Sequence, residues 1–335
     1  MKLSHSARET YTSCSEKWRL RYQERLRGVK IASPLFFGSA LDEAFSHLLL
    51  TKKAVLSASE SEQLATKTAA GIFLENMTEI EHNGQTVKLA QNPLVDYFKS
   101  DFSPELLNNS HLELLRSLEP GYVSLDEFVA FKEACDAAMK TKQKLEEADQ
   151  ILYNYITWLS LVEKGKLMVD AYQRDILPEI EQVFDIQKAV SLPNGHGDEV
   201  VGLIDYTCSF NKEPGCVYVM DNKTSSTKYA EDSVKTSSQL STYCEHEGTR
   251  NAGYSVIEKK LYKKEPQIHT QLILDEVSEE ITEKTFDDFE KMRYNIEAGQ
   301  FEKNWDSCFA FGRRCEYFLL CKHKSMDGLV KLEKK

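Results

Sequence analysis

Several absences narrow what this protein does. No window of about 18 apolar residues occurs in its 335 residues, which excludes a membrane-spanning helix. Nothing at the N-terminus resembles a signal peptide and a chain of this size needs no staples, so disulfides are not expected among the eight cysteines and a bacterial or phage-infected host cytoplasm is. No Gly-x-x-x-x-Gly-Lys-Ser/Thr run is present, so there is no phosphate loop and no ATP-driven motor. Any strand separation therefore falls to a helicase or recombination partner. Internal repeats and low-complexity tracts are missing too. Positive charge is in deficit: 42 Lys and Arg face 53 Asp and Glu, a net charge of -11, which argues against indiscriminate coating of nucleic acid. A local basic face is still allowed, because local charge steers a polyanion.

What is present concentrates near residue 200. Gly202-Leu203-Ile204-Asp205 closes one apolar run, and Val217-Tyr218-Val219-Met220-Asp221-Asn222-Lys223-Thr224 forms the next. Asn211 to Gly215 supply turn chemistry between them, so an antiparallel hairpin is expected. Val217, Val219, Asp221 and Lys223 share one parity, which puts a carboxylate and an ammonium on one face of a strand. Asp205 and Asp221, on adjacent strands, can converge on one hard divalent ion, Mg²⁺ or Mn²⁺. Lys223 then faces a phosphate or an attacking water. Such a set suits metal-dependent phosphodiester hydrolysis and needs no covalent nucleophile. The bland alternative is an ordinary solvated hairpin. Gln239 and Tyr243 follow at i, i+4 on a helix expected over 237–247, able to bond a phosphate or bracket the site, or else to be a plain surface pair.

Two further stretches precede these: Leu3-Ser4-His5-Ser6 with Cys14 and Lys17-Trp18-Arg19-Leu20-Arg21-Tyr22, then Phe37-Gly38-Ser39-Ala40-Leu41-Asp42-Glu43-Ala44. In this order the motifs resemble the PD-(D/E)XK nuclease superfamily in its RecB-like branch with an iron-sulfur cluster, similar to AddB-type and CRISPR-associated adaptation exonucleases, and compatible with a phage origin. The resemblance implies an α/β fold with a restriction-endonuclease-like central mixed sheet flanked by helices. It makes Asp205, Asp221, Lys223, Gln239 and Tyr243 the catalytic set. Asp42 stands where the family usually carries a metal-binding histidine. A carboxylate can take that role with a shorter reach, Glu43 is a substitute, and the competing reading is a helix N-terminal carboxylate favoured by the dipole.

Cys14 near one end, and Cys308, Cys315 and Cys321 spaced C-x6-C-x5-C near the other, match what the resemblance implies for ligands of a [4Fe-4S] cluster. The cluster would clasp residues 1–30 to 299–325 and close a loop of nearly the whole chain. A four-cysteine zinc site uses the same ligands and stays open. Cys135, Cys208, Cys216 and Cys244 show no ligand spacing; Cys208 and Cys216 flank the hairpin loop and read as packed thiols.

Basic, aromatic-laced stretches at Lys17 to Lys30, Lys259 to Lys264 and Arg313 to Lys324 are candidates for phosphate contact, Arg19 and Arg21 first, with Trp18, Tyr22, Phe309 or Phe311 either stacking on bases or packing around the cluster. Residues 1–335 are expected to form one nuclease domain carrying a helical insertion over 50–180, where Glu60 to Ile80, Ser124 to Ala148 and Gln150 to Tyr172 have helical periodicity. Strands are expected at Ile180 to Leu192, Asp198 to Tyr206, Cys216 to Thr224, Tyr254 to Tyr262 and Gln267 to Leu274, and a helix at Glu279 to Ala298. His196 sits in a Pro-Asn-Gly-His-Gly turn and is taken as a loop residue. The function expected is a Mg²⁺- or Mn²⁺-dependent deoxyribonuclease, a single-strand exonuclease in recombination, repair or phage DNA processing. Its rivals are a non-catalytic nucleic-acid-binding scaffold with the same fold and an RNA or structure-specific endonuclease.

Overall fold

Alternating and β-branched sequence concentrates between residues 180 and 276, and five of the six strands of the central sheet form there. The structure is a computed structural model describing residues 1–141, 143–193, 198–261 and 267–333, with backbone only at 311 and 312. His196 and Tyr262, Lys263 and Lys264 of the second basic stretch lie outside the described residues, as does the Phe311 side chain.

The sheet strands are β1 (Lys2–Ser4), β2 (Ile180–Pro193), β3 (Glu199–Phe210), β4 (Glu213–Ser225), β5 (Asn251–Glu258) and β6 (Thr270–Glu276). β2, β3 and β4 run antiparallel in succession, β5 lies parallel to β4, and β6 returns antiparallel to β5, so the sheet is mixed. The short β1 pairs parallel with the start of β3, Leu3 beside Val200. The order is β2, β3, then β1 and β4, then β5 and β6.

Helices cover both sides. On one, α2 (Ser33–Leu50), α3 (Ala69–Thr78), α4 (Leu125–Lys140) and α5 (Glu147–Ala171) share a continuous core with Tyr206, Cys208 and Met220 of the sheet. Pro34 at the first turn of α2 and the Ser124 side chain, which accepts from Glu127 N, set two of the helix starts. Gly165 of α5 is required by close approach: a Cβ there would lie 1.9 Å from Phe73 Cζ of α3. On the other side α6 (Ser238–Glu247) packs on Ile204, Val219 and Val256. α7 (Glu279–Glu297) and α1 (His5–Ser13) bury Leu3, Ala7, Phe289 and Met292 together.

The middle is less purely helical than its sequence suggests. The expected helix from Glu60 to Ile80 is broken: Ala58–Thr66 ends first, then Thr68 caps α3, accepting from Gly71 N, and α3 stops at Thr78. Glu79–His82 and Gln85–Lys88 form a hairpin around Asn83 and Gly84, both at positive φ. That is the asparagine-glycine turn whose backbone twist suits a two-residue hairpin. The expected fourth strand stops at Glu258 and the fifth begins at Thr270. Among the described residues no helix is long and apolar enough to cross a membrane.

Candidate active site

β3 and β4 pair closely as far as Tyr206 and Met220. The carboxylates sit where that regular pairing stops. Asn222 N donates to Asp205 Oδ2 at 2.6 Å, so a side chain holds the two strands together beyond the last backbone pair. One position along β4, Asp221 is only 2 % exposed. Its Oδ2 meets Lys223 Nζ at 2.5 Å, the same-face neighbour that parity requires.

α6 lies over this pair. Ser237 caps it, accepting from Leu240 N, and fixes where the helix begins. Gln239 in the first turn then bridges acid and base: its Nε2 donates to Asp221 Oδ1 at 2.9 Å, and its Oε1 accepts from Lys223 Nζ at 3.1 Å. One turn on, Tyr243 OH accepts from Gln239 Nε2 at 3.3 Å, as the i, i+4 spacing implies. Gly202 makes room for the tyrosine ring, because a Cβ there would stand 2.4 Å from Tyr243 Cε1.

Asp42 approaches from α2. It is the tenth residue of that helix, far beyond the first turn, which corrects the reading of it as a dipole-favoured N-terminal carboxylate. Glu43, the next residue, is exposed and lines a different pocket with His47 and Glu60. Adjacent helix positions do not face one way.

Asp42 Oδ2 accepts from Gln187 Nε2 at 2.9 Å, and Gln187 also reaches Ser46 Oγ at 3.3 Å. Gln187 is a site residue that the sequence did not reveal. It sits in β2 with φ at 51°, a left-handed conformation that a glutamine rarely adopts and that the surrounding structure must enforce. Asn222 was also missed: its side-chain nitrogen and oxygen are both buried, and its amide bears on the Asp42 carboxyl.

The electrostatics follow from crowding. Burial first, then the charges of Asp221 and Asp42, push the Asp205 carboxyl well above the usual carboxylate range. Burial also raises Asp221, with Lys223 opposing, and Asp42, with Asn222 and then Gln187 opposing and Glu43 and Asp221 adding. Lys223 goes up as well: burial works against its charge, but Asp221 and Asp205 outweigh that. His5, at the β1–α1 junction, is pushed down, mainly by burial, and its charge bears on both Asp221 and Lys223.

Three crowded carboxylates, Asp221 buried and Asp42 and Asp205 half-buried, all with hard oxygen donors, are a chemical fit for a divalent cation of the Mg²⁺ kind. Asp221 Oδ2, its Lys223 contact apart, receives no hydrogen bond. Among the described residues, though, no three His, Cys, Asp or Glu side chains stand close enough to hold one metal ion as placed.

A family model described as the PD-(D/E)XK nuclease superfamily matches residues 2–102. Members of that superfamily are typically phosphodiester-cleaving nucleases that use divalent metal ions, so the similarity suggests a nuclease-type function, and the mixed sheet flanked by helices agrees with such a fold. The matched stretch contains β1, α1, Cys14 and Asp42 but ends well before Asp205, Asp221 and Lys223. No curated protein matches the chain.

The two chain ends meet. Leu26–Gly28 pairs with Leu329–Lys331, and Leu20, Leu26, Tyr317 and Leu329 form a small core beneath them. Cys14, Cys308, Cys315 and Cys321, all free thiols, line one cavity with Lys17 and Phe318. Burial pushes the thiols of Cys308, Cys315 and Cys321 up. Cys14 Sγ accepts from Asn304 N at 3.4 Å, and Cys315 N donates to Cys308 O at 2.7 Å. Of the other cysteines, Cys135, Cys208 and Cys244 are packed thiols, but Cys216 is exposed at the start of β4, which corrects its assignment as packed.

The candidate DNA contacts are engaged within the chain. Arg19 forks onto Glu16 at 2.7 and 3.0 Å and reaches Glu24 at 2.9 Å. Arg21 meets Glu316 at 3.4 Å. Trp18 is buried and stacked on Phe301, in the core with Leu3 and Phe289, so its ring is not presented for base stacking. Tyr22 and Phe309 keep exposed rings.

Proposed function

We propose that the protein is a Mg²⁺- or Mn²⁺-dependent deoxyribonuclease acting as an exonuclease on single-stranded ends in recombination, repair or phage DNA processing. The observation that carries the reading is the Asp221–Lys223 pair at 2.5 Å, bridged by Gln239 and set beside Asp205. Asp205 and Asp221, helped by Asp42, would hold the cation, which when bound supplies a Lewis acid at the phosphoryl oxygen. Lys223, charged and partly screened from solvent, orients the attacking water or stabilises charge developing on the phosphate. The water oxygen forms the new bond to phosphorus as the ester bond on the far side breaks, and the departing oxygen takes up a proton. Gln239 fixes the lysine against the aspartate so that neither must reorganise, and Tyr243 positions the strand. Arg19 and Arg21 are proposed to meet backbone phosphate by exchanging their glutamate partners for it.

We assign the four end cysteines to a [4Fe-4S] cluster, within a single domain whose 50–180 region is a helical insertion. What supports the reading is that all four are free thiols lining one cavity, and thiolates are the ligands such a cluster takes. A second reading, a non-catalytic scaffold that binds nucleic acid, draws on the same spacing of the carboxylates. Cleavage separates the two: Asp205→Asn and Asp221→Asn abolish metal-dependent DNA degradation in an enzyme, whereas a scaffold shows none in the first place.

A further inference from the structure

Gln239 bridges Asp221 and Lys223 from the second residue of α6, and the first turn of a helix frays unless something holds it. Ser237 caps that turn through Leu240 N, but a cap is local and does not fix where the turn stands against the sheet. Arg8 of α1 supplies that reference. Its Nη2 donates to Ser238 Oγ, on the residue before Gln239, and His5 Nδ1 lies 3.4 Å from the same oxygen.

Arg8 is itself held. Its Nη1 meets Asp288 Oδ2 of α7 at 3.1 Å, its guanidinium lies over the Phe289 ring at 5.7 Å, and its side chain is 14 % exposed. A planar guanidinium fixed by a carboxylate on one nitrogen and by a ring beneath presents its other nitrogen in one direction. A lysine ammonium on a flexible stem does not.

The other end of α1 is tied to the strand that carries Asp205. Ser4 of β1 pairs with Val201 of β3, and its side chain accepts from Ala7 N, which starts the helix. β1 and β4 share one edge of β3, and among the described residues Gly202 to Asp205 lie between them without a strand partner on that edge. α1 leaves β1 at this gap, and His5 is near enough to Asp221 and Lys223 for their charges to bear on one another. A circuit thus closes around the site, from β3 through β1 and α1 to Ser238, and from Gln239 back to Asp221 on β4.

We propose that Arg8 is a positioning residue for cleavage: by holding Ser238 it fixes the first turn of α6, and with it the Gln239 bridge that aligns Lys223 on Asp221. The proposal rests on the nuclease reading for the reaction. Arg8 also borders a cavity of about 510 Å³ with Thr12, Ser13, Thr236 and Lys284, so direct contact with the bound strand is the competing role. Charge disfavours it, because Glu9 and Asp288 line the same cavity and Asp288 already takes the arginine.

The test compares the full-length wild type with Arg8→Met, Arg8→Lys and Ser238→Ala. Arg8→Met keeps a stem over Phe289 and removes the donors, and Ser238→Ala breaks the same contact from the other side. Each is expected to lower kcat for degradation of single-stranded DNA with Mg²⁺ or Mn²⁺ roughly tenfold at unchanged KM, since a misaligned lysine costs turnover and not binding. Arg8→Lys, able to keep one partner of two, is expected to retain part of the activity. Arg8→Met combined with Ser238→Ala is expected to lose no more than Arg8→Met alone, because both remove one contact. Amide hydrogen exchange over residues 238–243, read by mass spectrometry, is expected to speed up in Arg8→Met and Ser238→Ala while the sheet stays protected. Variants that melt lower but keep the wild-type kcat and exchange overturn the proposal. Weaker DNA binding in EDTA, with a salt slope shallower by about one, makes Arg8 a phosphate contact and overturns it too. If Arg8→Met fails to fold, Ser238→Ala decides. A wild type that cleaves no DNA removes the nuclease reading alone, and the exchange measurement then decides whether Arg8 pins α6.

Discussion

Gln187 donates to Asp42 at 2.9 Å from a strand position held at a φ of 51°. A left-handed non-glycine residue inside a strand costs on the order of 1 kcal/mol, and such strain persists where the fold needs the side chain it aims. Gln187→Gly is therefore expected to relieve backbone strain, leaving thermal stability equal or slightly raised, while lowering nuclease activity about tenfold as Asp42 loses its partner. Unfolding midpoints and initial cleavage rates on the same preparations check both halves. A loss of stability without a loss of activity would assign Gln187 to the fold alone.

The crowded carboxylates make stability depend on pH in a defined direction. Asp205 is pushed up, so the folded chain keeps its proton at a pH where the unfolded chain, with an ordinary carboxylate near 4, has lost it. The folded state then binds more protons, and its stability falls as pH rises through that window. Asp205→Asn removes the term. In EDTA the variant is expected to melt higher than the wild type at neutral pH, with the difference shrinking toward pH 4, and added Mg²⁺ is expected to raise the wild-type midpoint more than the variant's. Calorimetric melts across that range test the sign.

The cysteine assignment makes a compositional prediction. Anaerobically purified protein is expected to contain iron and acid-labile sulfide in equal amounts, and Cys14→Ser or Cys315→Ser to lose both and to melt at markedly lower temperature, because the clasp between the chain ends is gone. Zinc without sulfide would establish the four-cysteine zinc site instead. Cys216→Ser, at an exposed thiol, is expected to change neither quantity.

Arg19 and Arg21 are tied to Glu16, Glu24 and Glu316 by exposed or half-buried ion pairs, which contribute at most about 1 kcal/mol each and are easily exchanged for a phosphate. Charge reversal at either arginine is expected to weaken DNA binding and to reduce the slope of log affinity against log salt by about one. Unchanged slopes would leave the glutamates as their true partners.

Much of the site was legible because it rests on periodicity. Strand parity put Asp221 and Lys223 together, and helical spacing did the same for Gln239 and Tyr243. What escaped has physical reasons. β1 spans three residues, too few to show a period, and exists because Leu3 packs beside Val200. Gln187 is defined by a backbone angle that the letter does not encode. Asp42 was read as having an alternative at a helix start because the sequence did not show that α2 begins as early as Ser33. The hairpin at Asn83-Gly84 had a signal, alternation on both sides of an asparagine-glycine pair, that was outweighed by the helical periodicity before it. That the chain ends meet was expected from the cysteines, but the strand pair Leu26–Gly28 with Leu329–Lys331 joins residues some 300 apart and leaves no local pattern.

The most direct test of the central claim is degradation of end-labelled single- and double-stranded DNA by anaerobically purified full-length protein, with Mg²⁺, Mn²⁺ or EDTA, beside Lys223→Ala. Cleavage that needs the metal, prefers single strands and is lost in the variant is the result expected, and the position of the label then gives the polarity. Folded, cofactor-loaded protein that leaves every DNA intact would contradict the account and turn the Asp221–Lys223 pair into part of a binding scaffold.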